Sequence, residues 1–212
     1  MVVAFDLDDT LYHEMEYVRS AYRAIARKYG AHLLPLMTKA STPADAFAST
    51  GVDIKLLLDV YRNHYPDIQL PMPSLYTLSL LRNRGVILAL ITDGREGTQS
   101  RKITALGLDK MIDEDLIYIS EKFGEKKLTG GAMREIMNKC PDDIYVYVGD
   151  NPEKDFVRGN ELGWITVCLK ASEDNIFPQN FVEISSEYNP RLIIHNLYEM
   201  VDFVNLVNGR RI

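Results

Sequence analysis

Val2-Val3-Ala4-Phe5-Asp6-Leu7-Asp8-Asp9-Thr10-Leu11 opens the chain with a short apolar run that ends in three carboxylates and a threonine. Four apolar residues suit a buried strand, and a buried strand does not end in clustered like charges without a reason. In an extended chain Asp6 and Asp8 point the same way while Leu7 turns aside. Two anions that converge repel each other unless a cation sits between them. A hard divalent ion with oxygen ligands, Mg²⁺ above all, turns that repulsion into binding. The same residues also fit a plain strand-to-loop turn with solvated aspartates, and D-x-D-x-T alone does not separate the two. The rest of the chain does.

With 212 residues the chain can hold one core domain and a small accessory one. Its 46% hydrophobic and 25% charged content is that of an ordinary globular protein. The longest clean apolar run, Val86 to Ile91, is far short of a bilayer span, and no basic region followed by a long apolar one suggests a leader. Cys140 and Cys168 have no metal-ligand spacing and form no disulfide framework, and Cys168 reads as a small buried residue. The expected compartment is the cytoplasm, without a membrane partner. A net charge of −6 and a pI near 5.3, with no basic stripe among aromatics, argue against a nucleic-acid surface. An anionic ligand must then be drawn by a local cation or metal.

Five apolar runs read as buried parallel strands: Val2–Phe5, Val86–Ile91, Leu116–Ile119, Ile144–Val148 and Ile165–Leu169. Helix-length segments separate the later ones. Leu75, Leu78 and Leu81 are expected on one helical face before a stop at Gly85, and residues 97–106 and 129–139 suit helices. Asn196-Leu197-Tyr198-Glu199 resembles a capping box, with Leu197, Met200, Val201 and Val204 as the apolar face of the last helix. Residues 170–190 read only as a polar connection. Strand alternating with helix predicts an α/β fold with a doubly wound parallel sheet.

Residues 14 to 71 break the alternation. Met15, Val18, Tyr22, Ile25 and Tyr29 recur at helical spacing, Thr42-Pro43 reads as an N-cap and first helical residue, and Ile54, Leu57, Leu58 and Tyr61 mark another helix. Pro66, Pro71 and Pro73 punctuate the return. The segment is thus an all-helical insertion between the first two strands, well placed to cover a site at the first strand's end.

Ligands of open α/β sheets bind beyond the carboxyl ends of the strands, so the residues just past each run are decisive. Thr92-Asp93-Gly94 offers a hydroxyl and glycine-freed amides for an anion's oxygens. Ser120-Glu121-Lys122-Phe123-Gly124-Glu125-Lys126-Lys127 offers a lysine, and Gly149-Asp150-Asn151-Pro152-Glu153-Lys154-Asp155 offers further carboxylates. Each stretch alone fits a turn, a solvated charge run or a helix cap. Together they supply carboxylates for a cation, donors for an oxyanion and a lysine for charge, which is the chemistry of phosphoryl transfer.

The order Asp-Leu-Asp-Asp-Thr, Ile-Thr-Asp-Gly, Gly-x-x-Lys and Val-Gly-Asp-Asn-Pro-x-x-Asp resembles the four motifs of the haloacid dehalogenase-like hydrolase superfamily. Thr92 to Gln99, Lys102, Leu106-Gly107-Leu108 and Gly163-Trp164-Ile165-Thr166 extend the likeness. It implies a Rossmann-like core at 1–13 and 72–212 and a small helical cap at 14–71. It also implies Asp6 as nucleophile forming an aspartyl-phosphate, and Asp8 as proton donor and acceptor. Mg²⁺ would be held by Asp6, the Asp8 carbonyl and Asp150, with Asp155 behind them. Thr92, Asp93 and Gly94 would bind phosphoryl oxygens, and Lys127 would balance their charge. Two positions depart from the family pattern: Leu128 replaces a proline, and spacing from Gly124 favours Lys127 over Lys126, while Asp93 stands where asparagine is usual. A carboxylate at Asp8 argues against dehalogenation. The expected activity is Mg²⁺-dependent hydrolysis of a small phosphorylated metabolite. A sugar phosphomutase with the same residues and a non-catalytic phospho-ligand binder are the alternatives.

Overall fold

The computed structural model describes residues 1–142, 144–173, 175–181 and 184–209. Its centre is a six-stranded sheet in the order β3-β2-β1-β4-β5-β6, every neighbouring pair parallel. The strands are β1 (Val2–Phe5), β2 (Ile87–Thr92), β3 (Ile117–Ile119), β4 (Tyr145–Gly149), β5 (Ile165–Leu169) and β6 (Leu192–Ile194). From β1 the chain winds outward through β2 and β3, then returns to the far side of β1 and winds the other way. The reversal puts the carboxyl ends of β1 and β4 side by side, the position where such sheets bind ligands. Val2–Phe5 are fully buried, as expected for a strand covered on both faces.

The five expected strands are present, within a residue at each end. The sixth, β6, was not expected: it has three residues, and Leu192 and Ile193 are exposed. Helix α5 (Met72–Asn83) buries Ser74, Thr77, Leu78 and Leu81, whereas Leu75 is exposed. The expected face of Leu75, Leu78 and Leu81 is therefore wrong at its first residue. Repeated steps of three lag a 3.6-residue turn, so 75 has rotated off the face that 78 and 81 share. Helices α6 (Glu96–Ala105) and α8 (Gly131–Lys139) fall where expected, with the short α7 (Ser120–Phe123) between them and α9 (Val157–Glu161) before β5. In α10 (Glu199–Gly209) the predicted Met200, Val201 and Val204 are buried, as is Leu197 just before it, and the Glu199 carboxylate accepts from the Asn196 amide.

Between β1 and β2 run α1 (Glu14–Tyr29), α2 (Leu33–Lys39), α3 (Pro43–Ala48) and α4 (Ile54–Asn63). They share an apolar cluster of their own, built on Val18, Tyr22, Ile25, Met37, Phe47 and Leu57, separate from the sheet's core. Thr42 caps α3 by accepting from the Asp45 amide at 3.1 Å. Tyr17 of α1 packs into the sheet's core and donates to the Tyr61 carbonyl at 2.5 Å, tying the two clusters together.

Candidate active site

Asp6 leaves the end of β1 nearly buried, and three groups from other strand ends meet it. Lys127 reaches it from the turn after α7, its ammonium 2.6 Å from Asp6 Oδ1 and 2.9 Å from Asp155 Oδ1. The Leu7 amide donates to the same Asp6 oxygen at 2.7 Å. Asp155 Oδ2 accepts from the amides of Asp150 and Asn151, which bends the loop after β4 back onto the sheet. Gly149 makes that bend possible, since a Cβ there would lie 2.6 Å from Asp155 Oδ2. Carboxylate oxygens of Asp6, Asp150 and Asp155 all lie within 4.8 Å of one another.

Burial raises the pKa of Asp6 to about 6 despite the pull of Lys127. Burial, with Asp6 and Asp155 close by, pushes Asp150 up to about 8. Burial works against the charge of Lys127, but the Asp155 and Asp6 carboxylates outweigh it and hold the pKa well above the usual lysine value. Three buried carboxylates thus share one ammonium, which pairs with only two of them, and leave net negative charge out of solvent. An all-oxygen donor set with that deficit fits a hard divalent cation.

Asp8 points into a different set of partners. Its Oδ1 accepts from Lys102 Nζ at 2.7 Å and from the Tyr12 hydroxyl at 2.6 Å, and its Oδ2 from Gln99 Nε2 at 2.9 Å. Burial alone would raise its pKa, but the Lys102 ammonium and these hydrogen bonds prevail and hold it below the usual carboxylate value. Lys102 itself is almost fully buried and lies over the Tyr17 ring at 4.4 Å. Asp9 is the one described non-glycine residue with a positive φ, 54°. That turn lets its carboxylate accept from the amides of Glu14 and Ile176, each at 2.9 Å.

Asp6, Asp8, Thr92, Asp93, Lys127 and Asp150 line one cavity of about 160 Å³. Asp155 sits behind it. Thr92 Oγ1 accepts from Gln99 Nε2 at 2.6 Å and keeps its own proton to donate. Asp93 Oδ1 accepts from the Lys127 amide at 3.1 Å, so the carboxylate that departs from the family pattern fastens the lysine turn to the end of β2. Gly94 lines an adjoining cleft instead, and its amide is taken by Ser120 Oγ at 2.9 Å. Lys126 is exposed.

Several residues of the site carry no role that the sequence assigns, although Gln99 and Lys102 fall in the stretch that extends the family likeness. Gln99 and Lys102 lie one turn apart in α6, and that spacing was the available signal that both face one side. Glu14, Lys154 and Phe177 also line the cavity. Gln179 donates to the Asp150 carbonyl at 2.7 Å from within the polar connection, where nothing in the sequence marks it.

The model of the haloacid dehalogenase-like hydrolase family matches residues 3–168. The chain belongs to this family. Two relatives of this hydrolase carry phosphatase names. A glyceraldehyde 3-phosphate phosphatase of Methanocaldococcus jannaschii is 27% identical, covering 95% of this chain and 96% of its own. A ribulose-1,5-bisphosphate 5-phosphatase of Halopiger xanaduensis is also 27% identical, over 84% of this chain and 71% of its own. Solved structures of similar shape include a HAD phosphatase from Thermococcus onnurineus and a 2-haloacid dehalogenase from Pseudomonas syringae. Each has a TM-score of 0.63 at 19% identity and covers 96% of this chain and 97% of its own. The hydrolase fold is therefore common to both reactions, and the residues of the site must separate them.

Proposed function

We propose that this hydrolase is a Mg²⁺-dependent phosphatase that acts on a small phosphorylated sugar or similar phosphomonoester through a phosphorylated Asp6. The observation that carries the reading is the cluster of Asp6, Asp150 and Asp155 at the β1–β4 switch point, with Lys127 paired to Asp6 and Asp155 and the cavity opening onto Asp6, Lys127 and Asp150. Asp6, Asp8 (by its carbonyl) and Asp150 are the groups to hold the ion, with Asp155 supporting them. When bound, Mg²⁺ supplies positive charge that screens the nucleophile from the phosphate.

Lys127 and the Leu7 amide both engage Asp6 Oδ1, which leaves the lone pairs of Oδ2 for attack on phosphorus. A bond forms from Asp6 to phosphorus as the ester P–O bond breaks, and the leaving oxygen takes a proton from Asp8. Water then attacks phosphorus, Asp8 takes a proton back, and phosphate leaves Asp6 as a carboxylate again. Lys102 holds Asp8 ionised in this structure, which suits the second step; the donating step requires that contact to loosen as the substrate's charge enters. Thr92 and Lys127 are placed to bind the phosphoryl oxygens. A carboxylate at Asp8 favours phosphoryl transfer over dehalogenation. The helices of 14–71 act as the cap that selects the substrate.

The test is phosphate release from p-nitrophenyl phosphate and a panel of sugar phosphates, with Mg²⁺ and with EDTA. Activity should need Mg²⁺ and vanish in Asp6→Asn, whose amide is a far poorer nucleophile. Full turnover in EDTA would remove the metal from the reaction, and an active Asp6→Asn would remove the covalent route.

A further inference from the structure

On the far side of Asp8 the cavity at Asp6 is adjoined by a cleft of about 240 Å³ that shares Asp8, Glu14 and Asp93 with it. That cleft in turn shares Arg62, Arg95 and Thr98 with an outer cleft of about 410 Å³ between α4 and α6. The two helices are held together there by Thr98 Oγ1 and Arg101, which both donate to the Arg62 carbonyl at 3.2 Å.

The sign of the charge changes along this path. The inner cavity is crowded with carboxylates, whereas Lys55, Arg62, Arg95 and Arg101 line the outer cleft against Asp59 and Glu121. Both of those carboxylates have other donors: Asp59 accepts from Asn63 at 2.8 Å and Glu121 from the Glu96 amide at 2.7 Å. Among the described residues no ion pair or side-chain hydrogen bond engages the guanidinium of Arg62 or Arg95 or the ammonium of Lys55. A chain with a net charge of −6 has thus gathered unpaired cations in one concave place, one cleft removed from the cavity at Asp6. Solvated arginines scattered on a convex surface are ordinary. Two forks facing one cleft, neither ion-paired with the carboxylates that line it, form a receptor for phosphate or carboxylate.

We propose that the substrate carries a second anionic group, a phosphate or a carboxylate, at the end remote from the scissile phosphate, and that Arg62 of α4 and Arg95 at the start of α6 hold it. The inference deepens the phosphatase reading and rests on it for the place of the scissile phosphate. One arginine comes from the helical insertion and the other from the sheet's side, so a doubly charged substrate bridges the two. A singly charged one does not.

Calorimetric titration in EDTA, where the phosphatase reading forbids turnover, tests this without relying on activity. Two pairs of probes differ in the second group: ribulose 1,5-bisphosphate against ribulose 5-phosphate, and 3-phosphoglycerate against glycerol 3-phosphate. The parent should bind the doubly anionic member of at least one pair about tenfold or more tightly, the effect of one charge-assisted contact. Preference in the first pair identifies a phosphate, in the second a carboxylate. The preference should collapse in Arg62→Met and Arg95→Met, recover in part in the lysine variants, and persist in Lys28→Met, which removes the same charge from an exposed site outside the cleft. No preference in either pair overturns the proposal, as does a preference that survives both arginine variants or that Lys28→Met abolishes equally. Phosphate release from p-nitrophenyl phosphate with Mg²⁺ is scored separately. Its absence strikes the phosphatase reading and leaves the titrations to judge the second site.

Discussion

Lys127 holds its ammonium 2.6 Å from Asp6 and 2.9 Å from Asp155 with only 5% of the residue exposed. In the proposed reaction a cation so placed would meet the phosphoryl group in a largely dehydrated site and supply roughly 2–4 kcal/mol of transition-state stabilisation. Lys127→Ala should lose kcat/KM to that extent. Its loss also leaves Asp6 and Asp155 buried without a counter-charge, so the midpoint of urea unfolding should fall as well. Lys126 is exposed, and Lys126→Ala should match the parent in both measurements. The reverse ranking would mean that the turn places the other lysine in the site. Cys168 gives a simpler expectation. Burial, with Asp150 and Asp155 nearby, pushes its thiol up to about 12, whereas Cys140 is half-buried. Iodoacetamide at neutral pH should label the folded protein at Cys140 and spare Cys168; labelling of Cys168 at a comparable rate would contradict its burial.

Helix α4 rests on Leu57, its one fully buried residue, which packs into the apolar cluster of the insertion. Leu57→Ala should lower unfolding stability by about 2–4 kcal/mol, read from denaturant curves, because the small cluster has little freedom to close the gap. The same helix shows what sequence could and could not disclose. Leu57 falls at its expected place, but Ile54, on the same expected face, is 56% exposed. A four-helix insertion has too little interior to bury a whole stripe. The sheet was more legible, since buried parallel strands are near-continuous apolar runs, and β1 and β5 were readable to the residue. β6 was not, because three residues with two exposed carry no such signal. In the site, Asp6 and Asp150 stand out in the sequence by their positions at strand ends, and Lys127 by its spacing from Gly124 in the family pattern. The hold of Lys102 and Gln99 on Asp8 does not, because a helix's spacing says which residues share a face but not what the face meets.

At the scale of the whole molecule, Asp6, Asp150 and Asp155 gather three buried carboxylates at the centre of the sheet's carboxyl edge, two of them paired to the single ammonium of Lys127. A divalent ion that binds only the folded form should therefore stabilise the entire chain, by about 2.7 kcal/mol at a hundred times its Kd. For a chain of this size that corresponds to roughly 5–10 °C in Tm. Differential scanning fluorimetry with Mg²⁺ against EDTA should show the rise in the parent and none in Asp150→Asn. An equal rise in both would place the ion elsewhere. The order of the strands has one more consequence, and it concerns time. β1, which carries Asp6 at its end, lies in the middle of the sheet, with Val2 paired to Ile87 on one side and Tyr145 on the other. β1 precedes both of its partners in the chain and must wait for two distant stretches before either edge can pair, and such long loop closures make folding slow. Until Tyr145–Gly149 is synthesised, Val2–Phe5 has one of its two neighbours at most, and the nascent chain displays its most deeply buried strand as a target for chaperones.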